Sequence, residues 1–395
     1  MEARAKNFSD EISSELKNIL TYWKQFSIDN IHGGFVGRRD HYNHLIENTP
    51  KGAILNTRLL WSFSAVANFE EDKESLKLAE RAWNYIEDNF WDKEYNGVFW
   101  ELDAQGQPQN TRKQIYAQAF AIYALAEYYN LAKTEKAKDR ALELFDLIET
   151  NARDIELNGY LEAFQRDWTT IEDMRLSEKD LNSAKTMNTH LHILEAYTLL
   201  MQVTNKPEVK EALENLVVLF LNKFLDNETG HYRLFFDVNW NSQSELISYG
   251  HDIEAAWLLV EAAKTTKNNL LIENAKKANV LIAEVFLKEG YQIDKGILNE
   301  KNLKTGEVDT DRHWWPQVEA MVGLDYAWRI SGNKEFLEAK YNIWSFTKKH
   351  LIDRKNGEWF FRIDCNNSPY AKEDKLSMWK APYHNSRALL MLLNL

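Results

Sequence analysis

The sequence repeats one pattern of two helices separated by a loop, and this repeat limits the possible folds more than any other feature. An amphipathic segment, a loop rich in glycine and aromatic residues, and a more apolar segment follow one another six times. Apolar residues recur in both kinds of segment at the i, i+3, i+4 and i+7 spacing of a helix. The second segment of each repeat is marked, in chain order, by Arg58, Gln118, His192, His251, Gln317 and His384.

The length of the repeat favours a closed ring of helices. Successive markers are on average about 65 residues apart, whereas common helical solenoid repeats are roughly 33 to 47 residues long. The second helix of each pair is apolar on most sides, as expected of a helix surrounded by protein. The sequence therefore predicts an all-α fold, an (α/α)6 barrel of six inner and six outer helices. Strand-like alternation at 232–236 and 358–363 predicts short β-hairpins on one face.

Composition narrows the class of protein. The chain has 395 residues and no change in composition that would mark a linker, so we expect one catalytic domain over 1–395. A net charge of −12 without any block of basic residues argues against nucleic acid or anionic membranes as partners. Cys365 is the only cysteine, which excludes an intramolecular disulfide and a thiolate metal cluster.

The location and assembly of the protein are expectations of the same kind. The first 20 residues are charged and lack the apolar core of a signal peptide. The longest uncharged apolar run, 119–126, is too short to span a bilayer. We therefore expect a cytoplasmic protein, and we take a monomer as the default because the sequence reveals no exposed apolar patch.

If the six repeats form a ring, the N-terminal ends of the inner helices meet at one mouth of the barrel. Residues far apart in the sequence then line a single pocket. The predicted pocket residues are Arg58, Tyr116, Asn188, His192, His251, Glu254, Gln317, Glu319, His384 and Arg387. The predicted walls are Trp314, Trp315 and Trp379, whose flat apolar faces suit stacking on sugar rings.

Three of the predicted pocket residues are histidines at helix starts. A single histidine in that place is more often a cap or a core group, but three in different repeats favour a shared function. His251 follows Gly250 in a first helical turn, and Glu254 projects from the same face, so the pair is a candidate general base. His190 and His192 point to different faces of their helix, and we predict that His192 faces the pocket.

Two other kinds of site use the same residue types. Neutral imidazole is a common metal ligand, but the sequence lacks a His-Glu-x-x-His motif, so we predict neither a metal nor another cofactor. Glycoside hydrolysis needs two carboxylates at a set separation, and Glu254, Glu319 and Asp180 are candidates for such a pair. This second alternative remains open, although the pocket holds more histidines than hydrolysis requires.

Opposed histidines, an arginine and tryptophans suit the removal and return of a weakly acidic proton beside a sugar carbonyl. Such chemistry needs a base with a pKa near the working pH. It also needs a positive or hydrogen-bonding group where the charge of the enediolate oxygen develops. The sequence therefore favours proton transfer on a sugar over hydrolysis, with a small sugar as the partner.

Four separated motifs resemble one known family. Segments 187–192 (MNTHLH), 250–255 (GHDIEA), 312–319 (RHWWPQVE) and 383–387 (YHNSR) closely resemble the N-acylglucosamine 2-epimerase superfamily, whose fold is an (α/α)6 barrel. The resemblance extends from about residue 8 to the C-terminus. The paired tryptophans and the 383–387 segment favour the cellobiose branch of that superfamily. The resemblance implies epimerisation at C2 of the reducing-end sugar of a β-1,4-linked disaccharide, without a metal or nucleotide.

The resemblance also implies a role for each site residue. His251 and His384 match the acid/base pair, with His384 chiefly acting on the C2 proton and His251 on ring opening and closure. His192 and Arg58 match positions that hold O1 and O2 and stabilise the enediolate, and Glu254 would orient His251. The positions that match substrate contacts, the last two by stacking, are Tyr116, Asn188, Asp180, Trp315 and Trp379.

Three alternatives remain open from the sequence. An aldose–ketose isomerase would use the same enediolate and protonate it at C1. An α/α-barrel glycoside hydrolase would release free monosaccharide. A non-catalytic carbohydrate-binding protein would bind a sugar without converting it.

Overall fold

A computed structural model of the protein describes residues 2–395 and is dominated by helices. The helices of this part of the chain are α1 (Glu2–Phe26), α2 (Ala53–Glu70), α3 (Lys73–Tyr85), α4 (Ile115–Ala132), α5 (Glu135–Asn151), α6 (Met187–Thr204), α7 (Pro207–Leu219), α8 (Tyr249–Thr266), α9 (Asn269–Glu289), α10 (Trp314–Ser331), α11 (Lys334–His350) and α12 (Tyr383–Asn394). Helices α3 and α7 each continue into one π-helical turn, Ile86–Phe90 and Phe220–Phe224. None of the helices in 2–395 has the length and apolar character needed to cross a membrane.

The even-numbered helices form a closed inner ring. Each packs against the next, from α2 through α4, α6, α8, α10 and α12, and α12 packs against α2. The odd-numbered helices lie outside and pack against the inner ring, where α7 contacts both α6 and α8, and α9 contacts both α8 and α10. Buried apolar residues from all twelve helices join in one continuous core. The prediction of an (α/α)6 barrel is confirmed.

The sequences of the helices explain which ring they join. Helix α4 (IYAQAFAIYALAEYYNLA) is apolar on nearly every side and is buried along most of its length. Helix α5 (EKAKDRALELFDLIETN) buries one stripe that includes Ala137, Ala141 and Leu144, and it exposes its charged residues. A continuous apolar surface therefore selects the inner ring, and an amphipathic surface selects the outer ring.

Connections at the two ends of the barrel differ in length. Two residues link each inner helix to the next outer helix, and the first of them has a left-handed backbone: Glu71, Lys133, Asn205, Lys267 and Gly332. The outer-to-inner connections are long and carry all the strands. Because every inner helix begins after a long connection, the site is built at that end of the barrel.

The long connections contain sixteen two- or three-residue strands within 2–395. They are β1 (Lys51–Gly52), β2 (Glu101–Leu102), β3 (Pro108–Asn110), β4 (Lys113–Gln114), β5 (Ala163–Phe164), β6 (Lys185–Thr186), β7 (Leu225–Asp226), β8 (His231–Tyr232), β9 (Phe235–Phe236), β10 (Leu246–Ser248), β11 (Tyr291–Gln292), β12 (Gly296–Ile297), β13 (Glu300–Asn302), β14 (Val308–Asp309), β15 (Arg312–His313) and β16 (Arg362–Ile363).

Most of these strands join neighbouring repeats rather than forming hairpins inside one loop. β1 pairs antiparallel with β2, β4 with β5, β6 with β9, β10 with β13, and β15 with β16. In the β1–β2 pair, Lys51 lies opposite Leu102. A bridge between Arg39 and Leu376 joins the first connection to the last and completes the circle. The predicted strands are present on the site face, and their main effect is to connect the six helix starts.

In four of the repeats, a recurring tether fixes a glycine turn to the inner helix that follows it. Gln118 of α4 accepts a hydrogen bond from Val98 N and donates one to Val98 O, both at 2.8 Å. Gln317 of α10 makes the same pair of bonds with Ile297, at 3.0 and 3.3 Å. Each tether satisfies backbone groups that would otherwise be buried without partners. It also fixes where the first turn of the inner helix lies.

Candidate active site

A cavity of about 160 Å³ lies where the N-terminal ends of the inner helices meet. A larger chamber of about 620 Å³ adjoins it, and Asn188 and His251 line both spaces. Asp180 lines the outer chamber. The residues that line the inner cavity are Arg58, Tyr116, Asn188, His192, His251, Glu254, Trp314, Trp315, Phe361, Trp379 and His384.

Two of the three cavity histidines are held by carboxylates through Nδ1. His192 Nδ1 lies 3.0 Å from Glu195 Oε2, and His384 Nδ1 lies 2.7 Å from Glu319 Oε1. An ionised carboxylate only accepts hydrogen bonds, so each Nδ1 carries the proton. When such a ring is neutral, its Nε2 atom is a proton acceptor.

The third histidine has a different partner. His251 Nδ1 lies 2.9 Å from the hydroxyl oxygen of Ser248, the residue before α8. A hydroxyl can donate or accept, so this contact allows either tautomer of His251. The expectation that Glu254 orients His251 is wrong, because Ser248 holds the ring and Glu254 instead binds Arg387.

Burial keeps two of these imidazoles neutral. Burial, together with the charge of His192, lowers the pKa of His251 to about 3. Burial also lowers the pKa of His384 well below its usual value, and the charges of Arg58 and Arg387 add to this effect. A neutral imidazole is the form that can accept a proton. Negative charge on a bound intermediate would raise both pKa values.

Arg58 carries a positive charge into the cavity. Its side chain is 3% exposed, and Nη2 donates to the hydroxyl of Tyr116 at 3.0 Å. The guanidinium lies over the rings of Phe120 and Tyr383, at 4.5 and 4.9 Å from their centroids. Within residues 2–395 no carboxylate oxygen approaches it within 4.0 Å. Its charge is therefore available to an anion in the cavity.

Aromatic side chains form the remaining wall of the cavity. The ring of Trp315 lies 4.7 Å from that of His251 and 5.4 Å from that of His384, measured between centroids. Trp379 contacts the ring of Tyr116 at 6.2 Å. Phe361 completes this wall, and the sequence analysis missed it because it lies in a connection rather than at a helix start.

Beneath the cavity, three buried carboxylates surround one guanidinium. Arg387 Nη2 donates to Glu254 Oε1 at 2.8 Å and to Glu319 Oε1 at 2.6 Å, and Nη1 donates to Glu195. Burial and the charge of Glu319 raise the pKa of Glu254 to about 7, although Arg387 opposes them. Burial would raise the pKa of Glu195, but the charges of Arg387 and His192 outweigh it and give about 2.

Several predicted site residues lie outside the inner cavity. Gln317 does not reach it, because its amide is bound to the backbone of Ile297. Glu319 and Arg387 lie below it: the carboxylate of Glu319 binds His384, Trp257 and Arg387, and the Nη atoms of Arg387 bind three carboxylates. The prediction that these three residues line the pocket therefore does not match their positions.

The structure separates His190 from His192 as predicted. His190 is fully buried, its Nε2 accepts a hydrogen bond from Tyr160 N at 2.9 Å, and its Nδ1 faces Thr186 O at 2.6 Å. Both nitrogens are thus used to hold backbone. His192 lies on the adjacent face of α6 and lines the cavity.

Glu254, Glu319 and His384 place three possible metal-ligand atoms close together, within 4.8 Å of one another. The Arg387 guanidinium already donates to both carboxylates at this point. A divalent cation would therefore compete with a buried positive charge. The same contacts weaken the hydrolase alternative, because Glu319 faces Arg387 and His384 rather than open space.

Comparison with known proteins decides the family. Residues 33–388 match the family described as N-acylglucosamine 2-epimerase (GlcNAc 2-epimerase). The chain is 44% identical over 384 residues to a cellobiose 2-epimerase of Bacteroides fragilis, with 97% of this chain and 98% of that protein covered. The chain belongs to the N-acylglucosamine 2-epimerase family. The predicted resemblance and the prediction of an epimerase are thereby confirmed.

Further relatives agree with this placement. A cellobiose 2-epimerase of Dictyoglomus turgidum is 37% identical over 393 residues, with 98% of each chain covered. The solved structure of cellobiose 2-epimerase from Bacillus thermoamylovorans B4167 superposes with a TM-score of 0.94 at 37% identity. That superposition covers 98% of this chain and 99% of the other. The similarity extends over the whole barrel and therefore includes the cavity.

Proposed function

We propose that the protein epimerises the reducing-end sugar of β-1,4-linked disaccharides at C2. Cellobiose would give glucosyl-mannose, lactose would give epilactose, and mannobiose is a third candidate. One observation carries the proposal most directly. Neutral histidines with fixed rings face the same small cavity as an arginine that has no carboxylate partner in the described chain.

The reaction balances without any added oxidant or reductant. After the sugar ring opens, a base removes the proton from C2, and the electron pair of the C–H bond forms the C1–C2 double bond. The carbonyl electrons move to O1 and give a cis-enediolate. Return of a proton to the other face of C2 restores the aldehyde with inverted configuration, and the ring then closes.

Each cavity residue takes one role in this sequence. His384 acts chiefly on the C2 proton, because Glu319 leaves its Nε2 as an acceptor. His251 acts chiefly in ring opening and closure, which need a group that both gives and takes a proton, and its Ser248 contact permits this. Arg58 and His192 hold O1 and O2: the guanidinium of Arg58 stabilises the charge of the enediolate, and the Nε2 lone pair of His192 accepts a hydrogen bond from a sugar hydroxyl. One well-placed donor to such an oxyanion is worth about 3–4 kcal/mol.

The shape of the site supports a disaccharide. Ligand pockets generally enclose about 300–1,000 Å³, so the inner cavity of about 160 Å³ is too small by itself. The adjoining chamber of about 620 Å³ provides space for a second sugar. Trp315 and Trp379 would stack on the sugar rings. The polar contacts to the substrate would come from Tyr116, Asn188 and Asp180.

The proposal also covers the form of the enzyme. We propose that residues 1–395 form one catalytic domain, which works as a monomer in the cytoplasm without a metal or other cofactor. Sedimentation velocity at micromolar concentration should give a single species near 46.4 kDa. Activity should survive dialysis against a chelator. A dimer would contradict the proposed monomer, and loss of activity on chelation would contradict the proposal that no metal is needed.

The experiment for the main proposal is a panel of reducing disaccharides with product analysis by NMR. Cellobiose, lactose and β-1,4-mannobiose are each incubated with enzyme, and the anomeric signals are followed. New aldose signals of the C2 epimer, with the β-1,4 linkage intact, support the proposal. A ketose as the main product would indicate the isomerase, released monosaccharide would indicate the hydrolase, and binding without conversion would indicate a carbohydrate-binding protein.

A further inference from the structure

Arg387 of α12 joins carboxylates from three other inner helices, although it does not line the cavity. It is 1% exposed, and its guanidinium donates to Glu195 of α6, Glu254 of α8 and Glu319 of α10. The hydroxyl of Tyr383 also accepts a hydrogen bond from it. A single side chain thus connects four of the six inner helices at the level just below the cavity.

Two of these carboxylates are the same ones that hold cavity histidines. The chain of contacts runs from His192 through Glu195, Arg387 and Glu319 to His384, with histidine contacts of 3.0 and 2.7 Å. Each carboxylate therefore has an imidazole on one side and the guanidinium on the other. Whatever sets the ionisation of these carboxylates also sets where the imidazole protons lie.

The charge of Arg387 favours the ionised form of these acids: it opposes the burial that raises the pKa of Glu319, and together with His192 it outweighs the burial of Glu195. A carboxylate buried without a counter-charge takes up a proton instead. A protonated acid can donate to histidine Nδ1, and the ring proton would then move to Nε2, on the cavity side. The planar guanidinium can serve several carboxylates at once, whereas a lysine ammonium is a single point of charge.

We infer that Arg387 is a positioning residue that fixes His192 and His384 in one common tautomer. In that tautomer both Nδ1 atoms carry protons toward Glu195 and Glu319, and both Nε2 lone pairs face the cavity. The value of this arrangement for catalysis depends on the proposed function, because it supplies proton acceptors beside the substrate. The role replaces the place among the pocket-lining residues that the sequence predicted for Arg387.

The test is nitrogen NMR of the full-length protein labelled with ¹⁵N-histidine. The signals of His192 and His384 are assigned from the spectra of His192→Gln and His384→Gln. The variants compared are Arg387→Lys and Arg387→Met. A control is Lys340→Met, which removes a buried charge whose Nζ lies 2.6 Å from Asp325 Oδ1, far from the histidines in sequence and on an outer helix.

The inference predicts Nδ1–H for both histidines in the wild-type protein and a shift toward Nε2–H in folded Arg387→Met. With the disaccharide that the enzyme turns over, kcat should fall roughly 10²- to 10⁴-fold, as when a catalytic histidine is left in the wrong tautomer. KM should change little, since Arg387 does not line the cavity. Arg387→Lys should give an intermediate result, and Lys340→Met should retain wild-type tautomers and kcat.

Several results would overturn the inference. One is an Nε2–H tautomer of either histidine in the wild-type protein, and another is a folded Arg387→Met with unchanged tautomers. Failure of both Arg387 variants to fold, while Lys340→Met folds, would show a purely structural role. A wild-type enzyme with the expected tautomers but no action on any disaccharide would contradict the proposed function and leave this inference intact.

Discussion

At the scale of single residues, each of the three cavity histidines is held through Nδ1 by a neighbouring side chain. His192 and His384 are each held through Nδ1 by an ionised carboxylate, and His251 is held through Nδ1 by the hydroxyl of Ser248. Nε2 is therefore the nitrogen left to face the cavity in all three rings. Because the Ser248 hydroxyl can donate or accept, the protonation of His251 is free to change during the reaction, which suits this histidine to a step that both gives and takes a proton.

Replacing either member of the proposed acid/base pair should remove catalysis without unfolding the protein. We expect His251→Ala and His384→Ala to lower kcat by about 10²- to 10⁴-fold, the usual contribution of a positioned acid or base. The conversion rate of cellobiose and the thermal unfolding midpoint check this. The matched control is His190→Ala, which should lose about 1–3 kcal/mol of stability through its two backbone contacts while the folded fraction keeps its kcat.

Removing the charge of Arg58 should affect turnover more than folding. Its guanidinium has no carboxylate partner within 4.0 Å in residues 2–395, so its loss leaves no buried anion behind. We expect Arg58→Met to lower kcat by about 10²- to 10³-fold, as for the loss of one oxyanion donor. Steady-state kinetics with urea unfolding measure both effects. Unchanged kcat in a folded variant would mean that the enediolate is stabilised elsewhere.

At the scale of helices and loops, the first turn of each inner helix has two separate tasks. Counted from the helix start, most cavity-lining residues are the second or the sixth, as in Tyr116, Asn188, His192 and Glu254, although His251 is the third residue of α8. In α4, α6, α8 and α10 the fourth residue instead binds the preceding glycine turn. That tether is formed by Gln118, His190, Asp252 and Gln317.

This alignment explains which of the predicted residues reach the cavity. The repeat, the apolar inner helices and the choice of His192 over His190 follow from helical spacing, which the sequence displays directly. Gln317 was placed in the pocket because the sequence markers mixed residues from different positions of the first turn. The bond between Ser248 and His251, and the place of Phe361 in the wall, depend on the path of the connections. Periodicity carries no information about that path.

A tether should matter for stability rather than for chemistry. Gln118→Ala leaves the backbone N–H and C=O of Val98 buried without partners, which should cost about 1–3 kcal/mol for each unsatisfied group. We expect a lower urea midpoint and a KM and kcat close to those of the wild type. A variant that keeps its stability would show that water replaces the amide at this turn.

At the scale of the whole molecule, the buried histidines make stability depend on pH. Burial lowers the pKa of His190 and His251 to about 3, and that of His313 to about 4. In the unfolded chain these groups have a pKa of about 6.5. Below that pH the unfolded state binds more protons than the folded state, so stability falls as the pH drops from about 6.5 toward 4.

Buried acids act in the opposite direction at higher pH. Burial raises the pKa of Glu162 to about 8, and burial with the charge of Glu319 raises that of Glu254 to about 7. Their folded pKa values exceed the unfolded value of about 4.3, so their contribution weakens as the pH rises through that interval. Between about pH 4.3 and 6.5 these histidines and these acids therefore change the free energy of unfolding in opposite directions.

The predicted loss of stability at acid pH can be tested with one substitution. His190→Gln keeps a side chain that can accept from Tyr160 N, but glutamine does not titrate. In urea unfolding between pH 4 and 7, the free energy of unfolding of this variant should fall less steeply toward acid pH than that of the wild type. The difference should be at most about 1.4 kcal/mol per pH unit, the effect of one proton. Parallel curves for the two proteins would mean that His190 does not bind a proton on unfolding.

The most direct test of the central claim is proton exchange at C2 in heavy water. Wild-type enzyme is incubated with cellobiose in D₂O, and deuterium in the recovered sugars is located by NMR. The mechanism predicts deuterium at C2 of the reducing-end sugar in the epimerised product, with the aldose and the β-1,4 linkage retained. Epimerised product that contains no deuterium at C2, or a ketose as the sole product, would contradict it.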